Sequence, residues 1–512
     1  MTVSRKWQVG TAAAVLAVVA GSAAAYYVSA RREVTTSSAE AYEAYRRGRE
    51  NELKLYRREA AAAYAEALAK DPGFFMAMLR LAVLSQDRDP DRSRSLLLGA
   101  SRFRDAVSAR ERRIFDIWAK LMIDKDVPAA ERLTDEYLKA YPDEPEGYQF
   151  RAMQLMKSGQ ADKAMEVYAR LLSVNPNYAI AYNIIGYQWM GRGDFAKAED
   201  NLKKYRFLAP DQANPYDSLG ELYANTGRYE EAEENLRKAL ELKPDFFPAI
   251  GHLASVAVGR GDFKAAGALF HQAAKLADEI GSATHLAIGE ALSATEAGDR
   301  AGAAALLDAN PVLATEPGDR TKELREVVAL VRGGIMGGGA VPSPPPAPKT
   351  DHGSSGEQRR LLAYGLARAI HEVRAGDLTG ARSLVSKELP AYAARTGEFD
   401  YYPYFPMLWV SLAGELGRAG AAGEAAEILK VVLARNPRFQ PALDAQRRIR
   451  GEAGAATIPA APGAGRPPLP GAARPIRGPS PSRRRSSGWR PCTTSAGPSP
   501  RPGTRILSSR RW

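Results

Sequence analysis

The feature that most constrains this chain is a self-similarity with a period of 34 residues. In 179–212 the phased positions are Tyr182, Ile185, Gly186, Trp189, Gly193, Ala198, Leu202, Tyr205 and Pro210. One period later, 213–246 has Tyr216, Leu219, Gly220, Tyr223, Gly227, Ala232, Leu236, Ala239 and Pro244. Apolar positions recur every three or four residues, so each unit reads as two helices. Gly220 and Ala232 are small where the two helices would cross, and Leu219, Tyr223 and Leu236 fill the space around that contact. Gly227 sits in the turn Asn225-Thr226-Gly227-Arg228, where a positive φ is easily adopted. Pro244 ends the second helix, because it lacks an amide hydrogen and restricts the residue before it. Units of this kind bury their apolar faces only against neighbours, so a stack is expected.

The phase extends both ways. Upstream, 145–178 keeps Tyr148, Ala152, Leu155, Gly159, Ala164, Tyr168 and Pro176, with Arg151 in place of a leucine. The stretch 111–144 keeps Ile114, Ile117, Leu121, Ala130, Tyr137 and Pro142, but Trp118 stands at the small position, which predicts a wider or shifted helix crossing. At the start, 41–74 carries Gly48, Ala60, Tyr64, Ala67 and Pro72, and 75–110 reads as one irregular unit with a turn at Pro90. Downstream, 247–280 lacks the closing proline, and 284–317 is weaker. The array is therefore expected over 41–317. A Gly/Pro-rich linker follows at 333–357, then a second helical segment at 358–450 with a well-matched unit at 406–439 (Trp409, Leu412, Ala413, Gly420, Ala425, Pro437).

The set Tyr216, Leu219, Gly220, Tyr223, Gly227, Ala232, Leu236, Ala239 and Pro244 resembles the tetratricopeptide-repeat pattern W-x2-L-G-x2-Y…A-x3-F…P. The resemblance implies an all-α right-handed superhelix of helix–turn–helix repeats, a bacterial type of chain, and a concave face lined by the first helix of each repeat. Carried onto this sequence, the groove positions include Gln149, Met153, Met156 and Lys157, then Ile180, Asn183, Tyr187 and Met190, then Asn214, Asp217, Glu221 and Asn225. As a set they suit a peptide or a helix of a partner protein, with Tyr187 as anchor and Asn183 and Asn225 fixing register. Gln149 and Met153 stand where chaperone-binding members carry Lys and Asn, which argues against a carboxylate clamp. Thr35–Tyr42 leading into Ala67–Pro72 also resembles repeat-type sensor regions fused to some bacterial kinases and regulators, with no kinase domain before it.

The ends differ from the body. Trp7–Ala30 is a run of 24 uncharged residues between Arg5-Lys6 and Arg31-Arg32. As a helix it would span roughly 36 Å, enough for a ~30 Å hydrocarbon layer. A retained membrane anchor, a cleaved signal peptide ending near Ala23–Ala25 and a buried Ala-rich helix are the alternatives for 1–32. Arg46, Arg47 and Arg49 argue for a cytoplasmic body, the short basic leader for an exported one, and an extracytoplasmic body is the expectation taken. Residues 451–512 hold 11 Arg, one acidic residue and 12 of the 34 prolines, with no apolar periodicity. This stretch reads as a disordered basic tail, an inert one or an out-of-frame product.

The overall charge of +12 resides at these ends. Removing 11 and 4 basic residues and one acidic residue leaves 56 basic against 58 acidic in 33–450, a net of −2. The body thus has no electrostatic reason to bind nucleic acid. Five histidines (His252, His271, His285, His352, His371) form no metal-binding spacing, and no phosphate-binding loop, kinase or hydrolase motif occurs. No cofactor, small-molecule substrate or catalysis is expected. The chain reads as a non-catalytic interaction scaffold, membrane-anchored or exported, or alternatively as the sensor half of a signalling system whose output is a separate protein.

Overall fold

The computed structural model describes residues 34–451 except 87, 278, 316–318, 336–354 and 395–403. The anchor or signal expected at 1–32, most of the linker and nearly all of the basic tail lie outside the described residues. Within them there are 22 α-helices and no strand, and no helix is long and apolar enough to cross a membrane. The helices run as antiparallel pairs: α1 (Ala39–Leu53) with α2 (Arg57–Lys70), α3 (Phe75–Ser85) with α4 (Pro90–Ser101), and α5 (Ala109–Ala119) with α6 (Val127–Ala140). The regular pairs follow: α7 (Pro145–Lys157) with α8 (Ala161–Val174), α9 (Ala179–Gly191) with α10 (Phe195–Leu208), and α11 (Ala213–Asn225) with α12 (Tyr229–Leu242). Next come α13 (Phe247–Gly259) with α14 (Phe263–Leu276) and α15 (Ile280–Glu296) with α16 (Arg300–Asp308). The remainder comprises α17 (Asp319–Leu330), α18 (Ser355–Arg374), α19 (Thr379–Ala394), α20 (Tyr404–Arg418), α21 (Ala422–Arg435) and α22 (Gln440–Ile449).

The small positions do what their spacing predicts. A Cβ on Gly220 would stand 2.5 Å from Leu236 Cγ and 3.4 Å from the Ala232 carbonyl oxygen. One on Gly186 would meet Leu202 Cδ2 at 2.7 Å. These contacts hold α9 on α10 and α11 on α12 at a separation that only glycine permits. Gly227 takes φ +77° in the turn between α11 and α12. After the equivalent turns, Asp194, Asp262 and Asp299 cap the next helix by accepting from the amides of Lys197, Ala265 and Gly302. The closing prolines have a second use. Tyr148, Tyr182 and Tyr216 each donate a hydroxyl hydrogen to the carbonyl of Pro142, Pro176 and Pro210, at 2.9, 3.2 and 3.1 Å. The unit with Trp118 departs from this regularity. Trp118 stands edge-on to Phe150 at 5.5 Å, and α5 passes into a π-helical turn, Lys120–Asp124, that ends at Lys125 with φ +56°.

Two long-range closures were not legible in the repeat. The α1–α2 pair meets the chain again far downstream: the Ala213 amide donates to the Tyr56 hydroxyl (3.0 Å), and Arg58 donates to the Leu276 carbonyl (2.8 Å). Arg57 pairs with Glu279 at 3.0 Å, and Lys243 pairs with Glu59 beneath the Tyr56 ring. At the other end, the turn between α21 and α22 sits against the turn between α11 and α12. Tyr229 donates to Asn436 Oδ1 (3.2 Å), Asn436 Nδ2 donates to the Ala224 carbonyl (3.3 Å), and Arg438 makes a bidentate pair with Glu230 (2.7 and 2.9 Å). The segment at 404–450 is thus packed on the array rather than standing apart from it.

Candidate functional site

The residues that spacing assigned to the inner face fall into two groups. In α7, Met156 and Lys157 are exposed, and Gln149 and Met153 are half-buried, with Met153 packed near Phe150 and Trp118. From α9 onward the side chains are used within the chain. Asn183, Met190, Asn214, Asp217 and Glu221 are buried, whereas Ile180, Tyr187 and Asn225 are only partly covered. Tyr187 donates its hydroxyl to Glu221 Oε2 at 2.6 Å, and Asn183 Oδ1 accepts from Ser218 at 3.0 Å. Asn214 Nδ2 donates to the Tyr205 hydroxyl at 3.2 Å. Neither the anchor nor the register roles foreseen for Tyr187 and Asn183 leave those groups idle; each has a partner one repeat away.

The centre of this arrangement is His252. Its Nδ1 lies 2.8 Å from Asp217 and its Nε2 lies 3.6 Å from Glu221, with all three residues buried. Burial pulls the imidazolium down, but the Asp217 and Glu221 carboxylates outweigh it and push His252 up to about 9. Burial raises Glu221, and the charge of His252 partly restrains that rise. Burial also raises the Tyr187 phenol, so it acts as a donor. Beside this cluster Ala224, Asn225, Ser255, Tyr392, Arg435 and Asn436 line a cavity of about 30 Å³, the size of one water. The chain's own helices therefore cover most of the residues that spacing assigned to the inner face from α9 to α13.

A second polar cluster lies nearer the N-terminus. Arg80 is buried between Glu52 (3.5 Å) and Glu146, and Glu146 also faces Arg110 at 3.5 Å. Arg110 in turn makes a bidentate pair with Glu144 at 2.7 and 3.0 Å. Burial would raise Glu52, but Arg80 and Arg49 outweigh it and hold the carboxyl below its usual range. A signal for both clusters was present in the period. Tyr187 and Glu221, and Arg110 and Glu144, are 34 apart, while Asn183/Ser218 and Asp217/His252 are 35 apart. In a stack, residues one period apart are neighbours, so partners could have been sought at that spacing.

No group of His, Cys, Asp or Glu among the described residues is arranged to hold a metal ion. A family model described as tetratricopeptide repeat matches residues 145–178 and 213–246. Solved structures overlap only loosely. A Pseudomonas aeruginosa PilF structure is 18% identical, covers 43% of this chain and 96% of its own, and has a TM-score of 0.33. The Cut9 complex with Hcn1 is 16% identical, with coverage of 80% and 76% and a TM-score of 0.40. The human IFIT1 dimer with m7Gppp-AAAA is 13% identical, with coverage of 78% and 91% and a TM-score of 0.41. Overlaps this loose carry nothing about ligand or partner. No curated protein matches significantly.

Proposed function

We propose that this chain, which carries tetratricopeptide repeats, is a protein-interaction scaffold that takes a peptide or helix of a partner on the inner face of the 145–190 repeats. The observation that supports this reading is the change in cover along one face. Over α11 and α13 the positions that would meet a ligand are used by His252, Asn436 and their neighbours, whereas Met156 and Lys157 in α7 are exposed. Gln149 and Met153 on the same helix are partly open. A flexible thioether beside an amide and an ammonium group offers an apolar anchor with polar register contacts. The groups around Tyr187 and Glu221 then act as a rigid wall rather than as contact atoms, which lowers the ordering cost of binding. The expected anchor or signal at 1–32 would place the scaffold at or beyond a membrane.

The test is a photo-crosslinking amino acid placed at Met156 and, as a control, at exposed Leu98 on α4. The reading expects a partner adduct from position 156 that is absent from position 98 and lost on Lys157→Glu with folding unchanged. Equal adducts from both positions would contradict it.

A further inference from the structure

The seam where α1–α2 meet the later repeats holds a cleft of about 500 Å³, within the range of sites that bury a ligand. Its floor is apolar, made by Ala61 and Ala65 of α2 and Leu81 and Leu84 of α3. Four arginines also line it, Arg57, Arg58, Arg88 and Arg92. The acidic residues lining it, Asp89 and Glu279, already have partners. Asp89 caps α4 by accepting from the Arg92 amide at 2.9 Å, and Glu279 pairs with Arg57 at 3.0 Å. Arg88 and Arg92 are exposed and have no ion-pair partner among the described residues.

We infer that this cleft is a second docking surface, separate from the inner face of 145–190, for an acidic amphipathic peptide segment of a partner protein. Charge complementarity selects the occupant. Two exposed guanidinium groups beside an apolar floor fit carboxylates flanking apolar side chains, with planar forks that match carboxylate geometry. An isolated phosphate would leave the leucine and alanine floor uncovered. A nucleic-acid strand would need a basic track, and 33–450 carries a net charge of −2 (56 basic, 58 acidic). The inference does not rest on the reading of the 145–190 face.

The experiment uses the full chain and a fluorescent helix-forming peptide of about 15 residues, with Leu on one face and Glu on the other. Fluorescence anisotropy is expected to give saturable binding on the order of 10 μM, weakening as salt rises. The double variant R88E/R92E should weaken it by at least about tenfold, with an unchanged melting curve. R102E, at the far end of α4, should leave it unaltered. Absence of saturable binding, or equal binding by R88E/R92E, would overturn the inference. So would phosphatidylserine vesicles or a single-stranded oligonucleotide binding more tightly than the peptide and with the same arginine dependence. Loss of peptide binding on Lys157→Glu instead would place the contact on the inner face of α7.

Discussion

The two buried polar clusters solve one problem with different cations. Around Arg80, carboxylates of Glu52 and Glu146 face a guanidinium that stays charged at any physiological pH. Around His252, the carboxylates of Asp217 and Glu221 face an imidazole, whose charge depends on pH. The first cluster ties early repeats together permanently. The second ties α11 to α13, next to the place where α21 and α22 pack, and can lose its charge. The same array therefore has one cluster whose cation keeps its charge from neutral to alkaline pH and one whose cation titrates there.

The largest effect should come from breaking the Arg80 cluster. Arg80→Met leaves half-buried Glu52 and buried Glu146 without their shared cation, with only Arg49 and Arg110 beside them, at an expected cost of about 3 kcal/mol or more in chemical denaturation. A variant that melts like the parent would show that water already screens this cluster.

Somewhat smaller is the pH effect at His252. Its folded-state value is raised, to about 9, above an ordinary value of 6.5. The associated stability is therefore fully present below about pH 6.5 and is lost as pH rises through 9. The difference corresponds to roughly 3 kcal/mol. His252→Gln should flatten this part of the stability–pH profile, whereas Arg80→Met should lower the profile without changing its slope there. Equal slopes in the parent and His252→Gln would remove the distinction between the two clusters.

Next is Gly227→Ala. At φ +77° a Cβ is strained, and it would stand 2.5 Å from Asn436 Oδ1. A loss of about 1–2 kcal/mol is expected, with faster amide exchange in α21 and α22. Unchanged exchange there would mean that the two turns do not touch. The smallest effect is Arg438→Ala, which removes an exposed pair with Glu230 and should cost no more than about 0.5 kcal/mol.

Much of the architecture was legible because the physics of a repeat is local. Gly220 against Leu236, the positive φ of Gly227 and the proline-ended helices each follow from a few residues within one period. The cluster at Tyr187, Asp217, Glu221 and His252 was harder. The first three sit at ordinary groove positions and His252 at none of them, and only stacking one repeat on the next brings them together. The closures were harder still. Tyr56 meets Ala213 and Tyr229 meets Asn436 across separations of 157 and 207 residues, far beyond one repeat. Small per-repeat rotations add up, and no single unit encodes their sum.

The account rests on the α21–α22 helices covering the inner face at α11–α13, which leaves α7 as its open part. A direct measurement places cysteines at Glu230 and Arg438 in a Cys492→Ser background, the native chain having one cysteine, and treats the protein with a short bismaleimide. The account predicts rapid intramolecular crosslinking that Gly227→Ala slows. Crosslinks that form only between molecules, or at a rate indifferent to Gly227→Ala, would contradict it.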